Sequence, residues 1–121
     1  MTKSIVTHIG ESAYFEDYPL LVLFNEDAPE ELKDICVLHR FIQEPALEAF
    51  KAGATFMFDQ EAYSILKVGS VAFENFKNLG HICLQFGDDP AADILPGTVL
   101  LDRKELPRLK AGSLIEVAVT N

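Results

Sequence analysis

The sequence predicts an all-β fold, a compact barrel of about eight short strands with one or two short helices. Two observations predict it. The apolar runs are short, and residues that favour turns separate them at close intervals. Hydrophobic residues make up 49% of the 121 residues and include nine Phe, which is enough apolar volume for one core. We therefore expect residues 1–121 to fold as a single domain.

Eight segments have the composition of strands. They are residues 3–9, 20–24, 34–41, 54–59, 63–68, 81–86, 98–102 and 114–119. The fourth and fifth segments are separated by Gln60, Glu61 and Ala62 alone, so these two are expected to form a hairpin.

Two helical pieces interrupt the strands. Residues 27–32 are expected to form one helical turn, with Asp27 as its N-cap. Residues 70–80 are expected to form a longer helix that begins at Ser70, a good N-cap residue, and ends at Gly80, a good residue for the C-terminal end. Phe73 and Phe76 are three positions apart, which predicts an apolar face that lies on the barrel.

The charge of the chain excludes several classes of function. Nineteen acidic residues against ten basic ones give a net charge of −9. Nucleic acids and anionic membrane surfaces attract basic proteins, so we expect no nucleic-acid partner.

Since no apolar run approaches the roughly 18 residues of a membrane helix, we expect a protein that is not membrane-embedded. Without a signal peptide, the expected location is cytoplasmic.

A histidine lies within the third predicted strand. Side chains alternate across a strand, so Ile35, Val37, His39 and Phe41 are expected to share one face. The pattern alone favours a packed histidine with one hydrogen-bonded nitrogen. The alternative is a neutral imidazole that accepts and donates a phosphoryl group, a role that apolar neighbours favour by disfavouring the charged form and excluding water.

Two further features could carry chemistry. The Gly69-Ser70 step precedes a predicted helix, where backbone N–H groups favour a phosphate, so both residues are candidates for phosphoryl binding. His81 follows the same helix and is either a polar residue near the helix dipole or a second imidazole that stabilises a phosphoryl group. The sequence contains none of the common nucleotide-binding or serine-hydrolase motifs, and we expect no cofactor.

A zinc site is the competing interpretation of the histidines. Cys36 and His39 form C-x-x-H, and His81 and Cys83 form H-x-C, which together make a possible Cys₂His₂ set. However, positions 36 and 39 point to opposite faces of a regular strand. Four ligands cannot converge without a bulge, so we expect no metal.

Three segments together resemble one known family. They are CVLH at residues 36–39, GSVAFENFKNLGH at residues 69–81 and LPGT at residues 95–98. They resemble the glucitol/sorbitol-specific IIA component of the bacterial phosphoenolpyruvate-dependent sugar phosphotransferase system. The likeness extends over nearly the whole chain, and the long pattern G-S-V-A-x-x-N-x-x-x-L-G-H is its most distinctive part.

The resemblance implies a fold and a specific role. It implies a compact β-barrel and places the phosphorylated histidine of the family on His39. The phosphoryl donor would be the phosphocarrier protein HPr, and the acceptor would be the IIB component of the glucitol permease, which works with its IIC component. The resemblance suggests Nε2 as the phosphorylated nitrogen. Some relatives carry a second histidine two residues further on, where this chain has Phe41.

Three alternatives stay open at this point. The barrel could be a non-catalytic module that binds a small ligand or a regulatory partner. It could be a structural domain stabilised by zinc. It could also be a hydrolase that uses His39 with an acidic residue, although the sequence offers no pair of carboxylates at a convincing spacing.

Overall fold

In the computed structural model, which describes residues 2–15, 18–103 and 105–119, eight strands close into a barrel. The strands are β1 (Thr2–Ile9), β2 (Leu20–Asn25), β3 (Val37–Gln43), β4 (Thr55–Phe58), β5 (Glu61–Val68), β6 (Ile82–Phe86), β7 (Thr98–Leu101) and β8 (Leu114–Ala118). Their order around the barrel is β1-β3-β2-β6-β7-β5-β4-β8. The predicted all-β barrel with about eight strands is confirmed.

The barrel has two short helices and a 3₁₀ turn outside its strands. Helix α1 (Glu30–Lys33) lies between β2 and β3, and helix α2 (Ala72–Leu79) lies between β5 and β6. The 3₁₀ turn covers Leu47–Ala49 and was not predicted. None of the helices in the described part of the chain is long and apolar enough to cross a membrane.

Alternation of side chains produces the core. Along β6 the residues are alternately buried and half-buried, as expected when one face of a strand points into a barrel. The inward side chains include several fully buried aromatic rings that contact one another or their neighbours in the core. They are Phe56, Phe58, Tyr63, Phe76 and Phe86.

Two pairs of neighbouring strands in this barrel are parallel. They are β2 with β3 and β6 with β7, while the other pairs are antiparallel. Helix α1 forms the connection that a parallel pair requires between β2 and β3. The register places Asn25 of β2 opposite His39 of β3. The predicted hairpin of β4 and β5 is confirmed, with Asp59 at positive φ (55°) in its turn.

The third strand begins later than predicted. Helix α1 ends at Lys33 and a turn follows it, so β3 starts at Val37 rather than at Asp34. Ile35 therefore lies outside the strand and is 37% exposed. The prediction that Ile35 shares a face with His39 is wrong.

The predicted helix caps are wrong at both N-termini and right at one C-terminus. Helix α1 has Pro29 rather than Asp27 as its N-cap, and no side-chain hydrogen bond caps it. Helix α2 has Val71 rather than Ser70 as its N-cap, again without a side-chain hydrogen bond. Gly80 ends α2 in the left-handed conformation (φ 62°), as predicted.

The start of α2 is fixed by the segment before β7. The backbone N–H of Gly69 donates to the carbonyl oxygen of Thr98 (2.7 Å), and that of Val71 donates to the carbonyl oxygen of Pro96 (3.0 Å). A Cβ atom on Gly69 would lie 2.2 Å from the Pro96 oxygen. Glycine at position 69 thus allows two backbone segments to approach and anchors the helix that leads to Gly80.

Replacing this glycine is expected to destabilise the barrel. Gly69→Ala forces two backbones apart, and we expect a loss of about 1–3 kcal/mol in the free energy of unfolding, the usual cost of overpacking. Gly87→Ala is the matched control, because its Cβ would meet a single atom, Leu100 Cδ1, at 4.0 Å. Urea unfolding of both variants measures the difference. Equal urea midpoints for Gly69→Ala and Gly87→Ala would contradict the close approach of the Gly69 and Pro96 backbones.

Candidate functional site

His39 lies inside the barrel, near the end of α2. Its side chain is 0% exposed, although a histidine is a polar residue. The ring of Phe76, from α2, stacks on the imidazole with centroids 5.5 Å apart and planes 19° apart. The ring of Phe41, from β3, meets it edge-on at 5.1 Å. The imidazole is therefore packed in aromatic surroundings, on the same face of β3 as Val37 and Phe41, as the alternation predicts.

One nitrogen of His39 is hydrogen-bonded and the other is not. Nε2 lies 2.8 Å from the carbonyl oxygen of Gly80. A carbonyl oxygen only accepts, so Nε2 carries the hydrogen and donates it. Nδ1 then holds the lone pair, and this buried atom has no hydrogen-bond partner among the described residues. The arrangement leaves one nitrogen free to act as a nucleophile.

Burial keeps the imidazole of His39 neutral. Loss of hydration lowers its pKa below the ordinary value of 6.5, and the hydrogen bond to Gly80 opposes this effect in part. The neutral form therefore dominates at neutral pH, and it is the form that can attack a phosphorus atom.

Asn25 is the neighbour of His39 that the sequence analysis missed. It lies opposite His39 in the parallel pair of β2 and β3 and is half-buried. Its side chain also packs against Gly80, where a Cβ atom would lie 2.2 Å from Asn25 Oδ1. An amide side chain can donate two hydrogen bonds. The sequence gives little indication that Asn25 lies beside His39, because the two strands are joined through a helix and their parallel register is not evident from local patterns.

His81 is next to Gly80 but lies in different surroundings from His39. Its Nδ1 is 3.3 Å from the carbonyl oxygen of Leu23, and its ring is 4.8 Å from that of Phe24. Phe24 packs against a small second cluster of buried residues, whereas His39 contacts Phe76 in the main core. The two imidazoles thus flank the Gly80 segment without a described contact between their rings.

Gly69 and Ser70 lie at the other end of α2. Ten residues separate Ser70 from Gly80, which corresponds to about 15 Å along a helix. Both residues line a groove of about 780 Å³ together with Phe73 and Lys77. The N–H of Gly69 is already engaged by Thr98. Phosphoryl binding by Gly69 and Ser70 stays a prediction. At these positions the phosphoryl group would lie in the groove and not beside the His39 ring.

The described residues do not form a metal site. None of their His, Cys, Asp and Glu side chains come together in a group of three or more that could hold a metal ion. Cys36 and Cys83 are free thiols. Burial raises the pKa of both, which favours the protonated thiols over the thiolates that bind metals.

Comparison with known families identifies this barrel. The family profile described as "PTS system glucitol/sorbitol-specific IIA component" matches residues 1–116. The chain belongs to this family. The resemblance inferred from residues 36–39, 69–81 and 95–98 is thereby confirmed, and the chain is a IIA component of the phosphotransferase system, the PTS.

Curated relatives and a solved structure agree with this family. The PTS system glucitol/sorbitol-specific EIIA components of Escherichia coli (strain K12) and Shigella flexneri are each 35% identical to this chain over 99 residues. The match covers 80% of this chain and 77% of each relative. The crystal structure of a PTS system IIA component from Enterococcus faecalis V583 is 29% identical, with a TM-score of 0.83, and covers 97% of this chain and 99% of that one.

The lowered pKa of His39 predicts how the stability of this IIA component depends on pH. The unfolded chain binds the His39 proton more readily than the folded one, so this contribution to stability is complete above about pH 6.5 and is lost as the pH falls below it. The free energy of unfolding should fall by at most about 1.4 kcal/mol per pH unit from this residue.

Urea unfolding between about pH 7.5 and pH 5 tests this dependence, since unperturbed carboxyl groups titrate below that range. His39→Gln should remove the His39 part of the slope, whereas His8→Gln, which replaces an exposed ring, should retain it. Parallel curves for the wild type and His39→Gln would contradict the assignment.

Proposed function

We propose that this IIA component is a phosphoryl carrier that accepts a phosphoryl group from phospho-HPr on His39. In the cytoplasm it passes the group to the glucitol/sorbitol-specific IIB component. That component works with the IIC component during sugar uptake. The observation that carries the proposal is the state of the imidazole. Its Nε2–H is held by the Gly80 carbonyl, and its Nδ1 lone pair has no partner among the described residues.

The transfer step exchanges one phosphorus–nitrogen bond for another. The Nδ1 lone pair of neutral His39 attacks the phosphorus of the donor's protonated phosphohistidine in line with the bond that breaks. The donor imidazole leaves as a neutral ring with the electron pair of that bond. His39 keeps its proton on Nε2 and becomes a protonated phosphohistidine. The step needs alignment and no metal-bound nucleophile. It is nearly isoenergetic, since one phosphoramidate replaces another, so both directions of the exchange with HPr remain accessible.

The Gly80 carbonyl stabilises the product of this step more than the reactant. As the ring of His39 gains positive charge, its hydrogen bond to Gly80 becomes charge-assisted, and such bonds are roughly twice as strong as neutral ones. The carbonyl therefore fixes the tautomer before transfer and stabilises the charged ring after it. The aromatic surroundings exclude the water that would hydrolyse the phosphohistidine.

Other polar residues near His39 are proposed to bind the phosphoryl oxygens. Asn25 is the first candidate, because it lies opposite His39 and packs on Gly80. His81 is the second, since it directly follows Gly80 and binds Leu23 through Nδ1, which leaves Nε2 for a phosphoryl oxygen. Gly69 and Ser70 line a groove at the other end of α2, so any phosphoryl binding there would be separate from the His39 ring.

Labelling with phosphoenolpyruvate, enzyme I and HPr tests the carrier function. The wild type should gain one acid-labile, alkali-stable phosphate, visible as one added phosphoryl group in the mass of the protein. His39→Gln should gain none, because it removes the nucleophile while keeping a side chain of similar size. His8→Gln should label as the wild type does, and His81→Gln should label more slowly. A His39→Gln protein that still labels would remove His39 as the acceptor.

The position of the phosphoryl group on the ring is a separate prediction. The resemblance suggests Nε2, whereas the structure has Nε2 bonded to Gly80, and the geometry favours Nδ1. Two-bond ¹H–¹⁵N NMR spectra of the labelled protein distinguish the two isomers. A phosphoryl group found on Nε2 would mean that the bond to Gly80 breaks before transfer.

Complete burial of His39 is also what a non-catalytic binding module would show. In that alternative the imidazole only packs against Phe41 and Phe76, and the barrel retains a partner without accepting phosphate. The labelling experiment separates the two functions, because a protein that binds phospho-HPr and gains no mass is a binding module.

A further inference from the structure

The buried position of His39 requires a route by which a donor reaches Nδ1. In-line transfer places the incoming phosphorus within about 3.5 Å of the attacking nitrogen. A ring that is 0% exposed admits no donor at this distance. Some neighbour of the imidazole must therefore move. Besides Asn25, whose side chain packs against Gly80, the described hydrogen bond and ring contacts of the imidazole involve Gly80, Phe76 and Phe41.

Gly80 and Phe76 are held by the rest of the structure. Phe76 is 0% exposed, and its ring contacts Phe50 as well as Phe41 and His39. The N–H of Gly80 donates to the carbonyl oxygen of Phe76 (2.9 Å), and its Cα packs against the side chain of Asn25. Displacing either residue requires a shift of α2, whose other end is anchored at Gly69.

Phe41 is held less firmly. It lies two residues beyond His39 on β3, about 7 Å along the strand on the same face. It is half-buried, whereas Phe76 is fully buried. Its ring contacts His39 at 5.1 Å and Phe76 at 5.0 Å, both edge-on. A rotation about its side-chain bonds would move the ring to another rotamer without moving the backbone.

We propose that the side chain of Phe41 is the gate of the phosphoryl site, closed over His39 in the free protein and swung outward when a phosphoryl-carrying partner docks. The inference rests on the proposed function and names the residue that controls access to its phosphoryl acceptor. The closed gate excludes water from the imidazole, and the open gate offers the ring of Phe41 as an apolar contact for the docking protein. Hence Phe41 controls access to His39 and takes no part in the bonds that form and break.

Chemical modification by diethyl pyrocarbonate, which acylates unprotonated imidazole nitrogens, tests the gate without any partner. The three histidines provide internal references, because His8 is exposed, His81 is half-buried and His39 is fully buried. Mass spectrometry of peptides gives the rate at each site. In Phe41→Ala, we expect the rate at His39 relative to His8 to rise at least about tenfold, as when a limiting local opening is removed.

A matched control variant is available in the same barrel. Phe24 covers His81 as Phe41 covers His39, so Phe24→Ala should raise modification of His81 and leave that of His39 unchanged. An unchanged rate at His39 in Phe41→Ala would overturn the gate. An equal rise of the modification rate at His39 in Phe41→Ala and Phe24→Ala would also overturn it, since that result indicates a general loosening of the barrel. If Phe41→Ala loses its cooperative unfolding transition, Phe41→Leu decides by the same criterion.

The lifetime of the phosphorylated protein provides a second measurement. Phe41→Ala should accept phosphate on His39 but lose it to water faster than the wild type at the same pH, whereas His8→Gln, at an exposed position, should match the wild type. Equal lifetimes for the wild type and Phe41→Ala would overturn the closed gate. A wild type that accepts no phosphate refutes the carrier function, and the modification rates still decide whether Phe41 covers His39.

Discussion

The hydrogen bond between His39 Nε2 and the Gly80 carbonyl is the contact on which the site depends. It joins β3 to the end of α2, which are 41 residues apart in the chain. It sets the tautomer of the imidazole and thereby decides which nitrogen holds the lone pair. It also holds the ring against Phe76, so the aromatic packing and the polar contact constrain the same side chain.

Two opposing effects act on this imidazole. Burial disfavours the charged ring, and the Gly80 carbonyl favours it; the net result is a lowered pKa, so burial is the larger effect. In the proposed carrier, phosphorylation of the ring would change this balance, because the hydrogen bond would then have a charged donor and be worth about 1.5–3 kcal/mol rather than about 0.5–1.5 kcal/mol. Burial thus keeps the free ring neutral, and the Gly80 carbonyl would support a ring that carries the phosphoryl group.

Local patterns predicted the parts of the fold that local physics decides. Short apolar runs between turn residues predicted eight strands, alternation predicted the face that His39 shares with Val37 and Phe41, and Gly80 predicted the end of α2. Ser70 failed as the N-cap because α2 begins one residue later than predicted, and the N–H of Ala72, which a Ser70 cap would bind, donates instead to the carbonyl oxygen of Gly69 (3.2 Å). The predicted start of the third strand at Asp34 failed because the turn after α1 continues through residues 34–36, two of which are apolar.

The site was predictable only in part, because some of its contacts join segments that are distant in the chain. His39 is visible in the sequence as a histidine in an apolar strand, and the family resemblance supplied its role. Asn25 and the Gly80 carbonyl were not visible, since the first depends on a parallel register and the second is a backbone group that any residue possesses. The full burial of His39 depends on Phe41 and Phe76, which reach it from two different elements.

The parallel pairing of β2 and β3 affects how the protein matures after synthesis. The β4–β5 hairpin needs only local contacts, whereas the strand with His39 must find β1, β2 and the end of α2, and contacts between distant residues form slowly. Until the barrel closes, position 39 is an ordinary hydrated histidine without its carbonyl acceptor. The buried, hydrogen-bonded imidazole on which the proposed carrier function rests thus exists only once the barrel has closed.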